Sequence, residues 1–388
     1  MRTLVLAFLL TGLLTGCGQP VLPGDARPEQ YLPLLKDRKV AVYSNHTGIV
    51  NGQHLVDLLL ENGIQVSAIF SPEHGFRGKA DAGAGVSDSV DPETGVPILS
   101  LYGPGGDVHP SAEAMSRFDV LVVDIQDVGL RFYTYYITLC HLLDACGKAD
   151  KEVVLLDRPN PNGHYVDGPI LDMTLKSGVG HLPIPVVHGL TLGELARMAQ
   201  GEHWLAEGNT CRLTVIPCKN YTHQTVFDLP VAPSPNLPNM QSVYLYPSLC
   251  PFEGTVVSLG RGTDKPFQQY GHPALQAKYS YSFTPESRPG ALNPPLKGQT
   301  CYGVDLSELT GVRSIGLDLS YVIDAYTVLK EQGQAQGFFS PFFDKLLGVT
   351  WVREMIEEGC GADTIRTRWL PEVEAFKQLR KKYLLYEE

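Results

Sequence analysis

Several familiar chemical signatures are missing from this sequence, and each gap excludes something. No G-x-G-x-x-G follows the first apolar run and no G-x-x-x-x-G-K-[ST] occurs anywhere, which removes the usual phosphate cradles of dinucleotide and nucleoside-triphosphate enzymes. No G-x-S-x-G elbow is present, so a serine hydrolase of the α/β-hydrolase kind is disfavoured. No CxxC, H-x-x-H or H-E-x-x-H spacing suggests a metal centre, and no metal or other cofactor is expected. Cations are scarce, with 31 Lys and Arg against 42 Asp and Glu and a net charge of −11. That balance argues against a nucleic-acid partner or an anionic membrane surface. No apolar run reaches the roughly 20 residues that a membrane-crossing helix needs.

What is present begins with an address. Met1-Arg2 followed by the apolar stretch Leu4 to Leu14 reads as a signal peptide, and Leu14-Thr15-Gly16-Cys17 resembles a bacterial lipobox. Residues 1–16 are therefore expected to be removed and Cys17 to carry lipid, tethering the protein to the cell envelope and giving it its only membrane association. Residues 17–31, with Pro20, Pro23 and Pro28, read as a flexible tether. The other seven cysteines are odd in number and thinly spread, so they form no disulfide framework; most read as buried thiols, with Cys211–Cys218 the best-placed pair for any bridge.

The remaining chain has 43% apolar and 19% charged residues, enough for a sizeable core and two domains. Short β-branched runs at Lys39–Ser44, Ile64–Phe70, Val96–Leu101, Phe118–Asp124 and Glu152–Asp157 alternate with helical patterns. These include Gly52–Asn62, Pro110–Arg117, Leu130–Gly147 and, after a Thr191/Glu194 capping box, Thr191–Gln200. Buried-type strands separated by helices predict an α/β fold, a Rossmann-like, doubly wound, mainly parallel sheet spanning 32–240. The Pro-rich stretch Pro230–Pro238 reads as a linker to a smaller α+β domain over 241–388, ending in a charged helix from Pro371 to Tyr383.

In open parallel sheets, ligands bind beyond the carboxyl ends of the strands, and here those ends carry polar motifs. They are Asn45-His46-Thr47-Gly48; Ser71-Pro72-Glu73-His74-Gly75-Phe76-Arg77-Gly78; Asp124 to Gly129 with Arg131-Phe132-Tyr133-Thr134-Tyr135; and Asp157 to Gly163 with Asn160. A second cluster lies at the linker: Ser234-Pro235-Asn236, then Phe252-Glu253-Gly254, then Gly260-Arg261-Gly262. Carboxylates beside aromatic and amide side chains suit a sugar site. Glu73, in a Gly-flanked loop, is the candidate general acid, or else a cap of backbone N–H groups. Asp124 and Asp127 either hold a sugar, orient a water or cap the next helix. Arg131 either receives a substrate carboxylate or pairs with Asp124 or Asp127. A metal site joining His46, His74 and His188 with Asp124 is the weaker reading of the same residues.

These motifs, in this order along the chain, resemble the NamZ-type exo-β-N-acetylmuramidases, a glycoside hydrolase family first catalogued as a domain of unknown function. The resemblance runs from about Lys39 to Tyr386. It implies a Rossmann-like domain, a smaller second domain and a cleft between them. It further implies release of N-acetylmuramic acid from the non-reducing end of peptidoglycan fragments, a peptidoglycan-derived sugar as partner, and Glu73 as the family's motif glutamate. Glycoside hydrolysis needs a second group opposite the acid, and Glu253, Asp124 or the substrate's own acetamido oxygen are the candidates. His46, His74, Arg77, Asp127, Arg131, Tyr133, Asn160, Asn236 and Arg261 are the candidate substrate-binding residues, with Arg131 or Arg261 expected to clamp the lactyl carboxylate. The alternatives are a non-catalytic lipoprotein that binds muropeptides and a metal-dependent amidase or esterase.

Overall fold

The computed structural model describes residues 19–71, Phe76, 89–101, 109–206 and 209–388. Cys17, Glu73, His74 and Arg77 lie outside the described residues. The first domain is built on seven strands: β1 (Lys39–Ser44), β2 (Gln65–Ser71), β3 (Ser89–Val90), β4 (Pro97–Ser100), β5 (Val120–Asp124), β6 (Glu152–Leu156) and β7 (Arg212–Ile216). Their spatial order is β7-β6-β5-β1-β2-β4-β3, and every neighbouring pair is parallel except β3 with β4. The chain builds outward from β1 through β2 to β4, then returns to lay β5, β6 and β7 on the other side. The direction therefore switches between β1 and β5, where Ser44 and Asp124 end their strands side by side.

Both faces of the sheet are covered, as the uninterrupted apolar runs predict. Val40, Val42, Val120, Val122, Val154 and Leu156 point to one face, where α1 (Pro28–Leu35) and α2 (Leu55–Glu61) pack. Ala41, Tyr43, Leu121, Val123, Val153 and Leu155 point to the other, beneath α3 (Ala112–Ser116), α4 (Tyr135–Lys148) and α5 (Leu192–Gly201). Thr191 and Glu194 form the capping box of α5. The second face does not stop at the domain boundary. Its apolar cluster continues into Phe252, Val322, Phe338 and Trp369, so the two domains share one core.

The second domain carries α6 (Met240–Leu249), an antiparallel sheet of β8 (Gln269–His272), β9 (Tyr281–Phe283) and β10 (Cys301–Asp305), and the helices α7 (Ser320–Glu331), α8 (Pro341–Leu347), α9 (Trp351–Glu357) and α10 (Ala362–Arg380). α10 starts well before the expected Pro371, which sits inside the helix. The described cysteines are all free, so Cys211 and Cys218 form no bridge.

The expected tether needs correcting. From Leu22 onward it is packed: Leu22 pairs with Lys219, the Gly24 N–H donates to the Asp157 carbonyl at 2.7 Å, and Pro28 opens α1 at its first turn. Asp25 is buried and ion-paired with Arg158, whose Nε donates to Asp124 Oδ1 at 2.6 Å. The prolines that suggested flexibility instead fix φ for a docked segment. One guanidinium thus bridges two buried carboxyl groups at the sheet's switch point. Asp25 keeps its proton more readily than usual, because burial and the Asp124 charge outweigh the attraction of Arg158. Replacing Arg158 by Met would leave both carboxylates uncompensated and is expected to cost about 3–5 kcal/mol, read as a lower urea midpoint with unchanged slope.

Candidate active site

The strand-end motifs divide into those that build the floor and those that line a cleft. Asn45 and Thr47 belong to the floor. Asn45 Oδ1 accepts from the Thr47 N–H at 2.9 Å, Asn45 Nδ2 lies 3.1 Å from the Tyr135 hydroxyl, and the Thr47 hydroxyl accepts from the Gln126 N–H at 3.0 Å. Asn160 is also buried there, its Nδ2 on the Leu190 carbonyl at 2.8 Å and its Oδ1 accepting from the Asn162 N–H at 2.8 Å. Gly129 (φ +77) packs against it so closely that a Cβ would lie 2.2 Å from Asn160 Nδ2. Asn160 is therefore a structural residue rather than the sugar ligand expected of it.

Two further expectations fail on burial. Asp124 is fully buried and bound to Arg158, so it is not presented to a substrate. Arg131 is fully buried too and pairs with neither Asp124 nor Asp127. It donates to the backbone carbonyls of Pro169 (2.7 Å), Ile184 (2.8 Å) and Leu346 (3.1 Å). Pro169 belongs to a hairpin of Asp167–Ile170 with Pro185–Val187 in the first domain, and Leu346 to α8 in the second. Arg131 is a clamp between domains, not a receptor for a carboxylate. His188 is likewise internal: its Nδ1 accepts from the Leu190 N–H at 3.2 Å, and burial pushes its pKa down to about 3. No group of three His, Cys, Asp or Glu among the described residues is arranged to hold a metal ion.

The cleft forms where the loop after β5, the linker and the second domain meet. His46 holds the linker with a contact from Nε2 to the Ala232 carbonyl at 2.9 Å, and the Tyr133 hydroxyl donates to the Pro233 carbonyl at 2.7 Å. Asn236 ties the linker to the other side, its Nδ2 donating to the Gly290 carbonyl at 2.9 Å. Between them lies a cavity of about 190 Å³ walled by Tyr133, Ser234, Asn236, Tyr246, Glu253 and Arg261, among others. Four residues expected from sequence thus converge: Tyr133, Asn236, Glu253 and Arg261. Tyr246 on α6 and Phe342 on α8 also line it, and no polar motif pointed to them.

Glu253 and Arg261 act as a unit. Arg261 Nε and Nη2 both donate to Glu253 Oε1, at 2.7 and 2.6 Å, and the guanidinium lies over the Phe267 ring at 4.9 Å. Burial works against the Arg261 charge, but the Glu253 carboxylate more than offsets it and raises the guanidinium pKa. One edge of the fork is spent on Glu253, and the other edge has no hydrogen-bond partner among the described residues.

Asp127 lies beneath the cleft rather than in it. Its Oδ1 accepts from the Gly129 N–H at 2.7 Å, and desolvation pushes its pKa up to about 7 despite that bond.

Family models match two adjoining segments. Residues 40–241 fit "Exo-beta-N-acetylmuramidase NamZ, N-terminal" and 244–386 fit the corresponding C-terminal model. The chain is 36% identical over 381 residues to the peptidoglycan β-N-acetylmuramidase NamZ of Bacillus subtilis (strain 168), an alignment covering 93% of this chain and 90% of that one. It is also similar to two crystal structures of DUF1343 family proteins from Bacteroides fragilis NCTC 9343. One is 56% identical with a TM-score of 0.88, the other 26% identical with a TM-score of 0.79, and each match covers 95% of this chain and 99% of the other.

The buried Asp127 carboxyl generates a pH dependence with a definite sign. The folded state holds that proton up to about pH 7, whereas an unfolded chain releases it near its ordinary value of 3.8. Stability is expected to fall as pH rises through that window, on the order of 4 kcal/mol from this group. Asp127→Asn keeps the acceptor for Gly129 and should flatten the decline in a urea titration run from pH 4 to 8.

Proposed function

The chain belongs to the NamZ family of exo-β-N-acetylmuramidases, and from that membership we infer a glycoside hydrolase releasing N-acetylmuramic acid from the non-reducing end of peptidoglycan fragments. The observation that carries this reading is the partly open cavity of mixed polar and aromatic lining in which Glu253 is paired with Arg261. A cavity of about 190 Å³, bounded on the floor by Tyr133 and on the roof by the second domain, suits one terminal sugar better than the middle of a glycan strand. Muramic acid differs from glucosamine by a lactyl carboxylate, and the free edge of Arg261 is the described cation facing that space.

The chemistry divides between two loops. We propose that Glu73 donates the proton to the leaving oxygen. Opposite it, an oxocarbenium-like transition state needs either a carboxylate or the substrate's acetamido oxygen. With Asp124 withdrawn into the floor, Glu253 is the described carboxylate left in the cleft. Its two hydrogen bonds from Arg261 give it a first role as the residue that positions the guanidinium.

We further propose that the protein is a lipoprotein anchored through Cys17 on the envelope side of a bacterial membrane. The folded body starts by Leu22, so the anchor would hold the enzyme within about 17 Å of the bilayer surface, the reach of about five extended residues. Such an enzyme would act on fragments that diffuse to it.

One product assay and four substitutions test this. Wild-type protein should release free N-acetylmuramic acid from N-acetylmuramyl-β-1,4-N-acetylglucosamine, detected by mass spectrometry, and Glu73→Gln should lose at least about 100-fold in kcat while keeping its melting curve. A muropeptide-binding lipoprotein would bind the disaccharide and yield no product. Arg261→Met should raise KM about tenfold or more with a smaller effect on kcat, and Glu253→Gln should follow it if Glu253 only positions the guanidinium. A collapse in kcat for Glu253→Gln would instead make the carboxylate part of the reaction. Cys17→Ala should move the protein from the membrane to the soluble fraction.

A further inference from the structure

Beyond the sugar cavity the cleft continues. A second chamber of about 470 Å³ shares Glu253, Arg261 and Phe342 with the first, but its character is different. Phe252, Val257, Leu259, Leu292, Pro294 and Pro295 line it beside Glu253, Thr255, Arg261 and Asn293, so the wall is more apolar than polar. Two of its residues are large hydrophobics left open to solvent: Leu292 is 53% exposed and Phe342 36%. Phe342 contrasts with its neighbours Phe343 and Phe338, which are 0% and 1% exposed and belong to the core. A phenyl group kept at a cavity junction rather than in the core is available to a ligand.

Its position is also fixed in advance. Phe342 is the second residue of α8, and the Ser340 hydroxyl that caps the helix accepts from the Phe342 N–H at 3.3 Å. The Ser340 N–H donates to the Gly254 carbonyl at 2.8 Å, next to Glu253. The far end of α8 is held by Arg131 through the Leu346 carbonyl. The ring is thus presented by a helix secured at both ends, so little ordering cost is left to binding.

We propose that this second chamber receives the N-acetylhexosamine leaving group and that Phe342 is the platform on which its apolar C–H face stacks, making Phe342 a specificity-determining residue. The inference rests on the muramidase reading above. The chamber's chemistry chooses between the two groups attached to a terminal muramoyl residue. A peptide stem on the lactyl group brings further carboxylates, whereas this wall carries the Glu253 carboxylate and a single cation, Arg261, which the reading above assigns to the lactyl group itself. A pyranose with an acetamido methyl offers apolar faces that fit Phe342, Leu292 and Pro294, and Asn293 on the same wall can meet its hydroxyl groups.

The test compares two substrates of the full chain: N-acetylmuramyl-β-1,4-N-acetylglucosamine, and the β-fluoride of N-acetylmuramic acid, whose leaving group is a single atom. The ratio of their kcat/KM values isolates the leaving-group site. Phe342→Ala is expected to lower that ratio about tenfold, and Phe342→Trp to keep it within about twofold of wild type. Thermal melts on both variants confirm folding, and the tryptophan variant supplies a second reading of the same position. An unchanged ratio in Phe342→Ala overturns the platform alone. So does a loss that appears only when the disaccharide carries an L-alanyl group on its lactyl side. Wild-type protein that releases no N-acetylmuramic acid from either substrate overturns the muramidase reading and the platform with it.

Discussion

The cleft depends on one guanidinium. Arg131 is fully buried and faces three backbone carbonyls, two in the first domain and one in α8 of the second. Removing a cation from water without an anion to meet it is costly, and burial pulls its pKa down to about 10. It is still charged at neutral pH, so the fold must keep carbonyl oxygens around it in place of water. That requirement fixes the distance between the hairpin and α8. Gly348 (φ +71), just past α8, leaves room for it, since a Cβ there would lie 2.5 Å from Arg131 Nη2. Because the apolar core also runs across the boundary, the second domain is part of the first domain's packing rather than a lid upon it.

A second constraint decides where the site can be. In doubly wound sheets the crevice at the switch point is the usual ligand position. Here Asp25, Arg158 and Asp124 occupy it with a buried ion network, and the segment around Gly24 covers the ends of β6 and β7. A Cβ on Gly24 would come within 2.3 Å of the Ile216 carbonyl oxygen, so that cover is tight. The cleft is displaced sideways, to the loop after β5 and the linker above it. Among the described residues the strand ends still supply it through Tyr133 and the His46 contact to the linker, while Asp124 and Asp127 are buried below it.

This displacement explains which parts were legible in the sequence. Buried parallel strands announce themselves as apolar runs, and Lys39–Ser44 was bounded to the residue. β7 carries an exposed, alternating pattern at the sheet edge, and β8 to β10 are short strands of a small antiparallel sheet, so none of them stood out from loop. For the site, residue type located the loops, while side-chain direction decided their use. Arg131 and Asn160 satisfy backbone groups, a role with no sequence signature. Glu253 and Arg261 carried one, because a carboxylate and a guanidinium each bounded by glycine are poorly explained by packing. Phe342 had none: nothing in Ser340-Pro341-Phe342-Phe343 says which ring is left open.

The same geometry resolves the tension between an acidic protein and an anionic sugar. With a net charge of −11, long-range attraction cannot bring such a substrate in, and a lone exposed arginine would be screened. Arg261 is instead desolvated against Phe267 and held by Glu253, so its field acts over a few ångströms in a medium less polarisable than water. If Arg261 receives the lactyl group, as proposed, recognition would depend on the fork's orientation, which favours a carboxylate at one position over anions in general. In the proposed reading, discrimination between muramic acid and glucosamine would follow from how the guanidinium is aimed, and Glu253 is the residue paired with it.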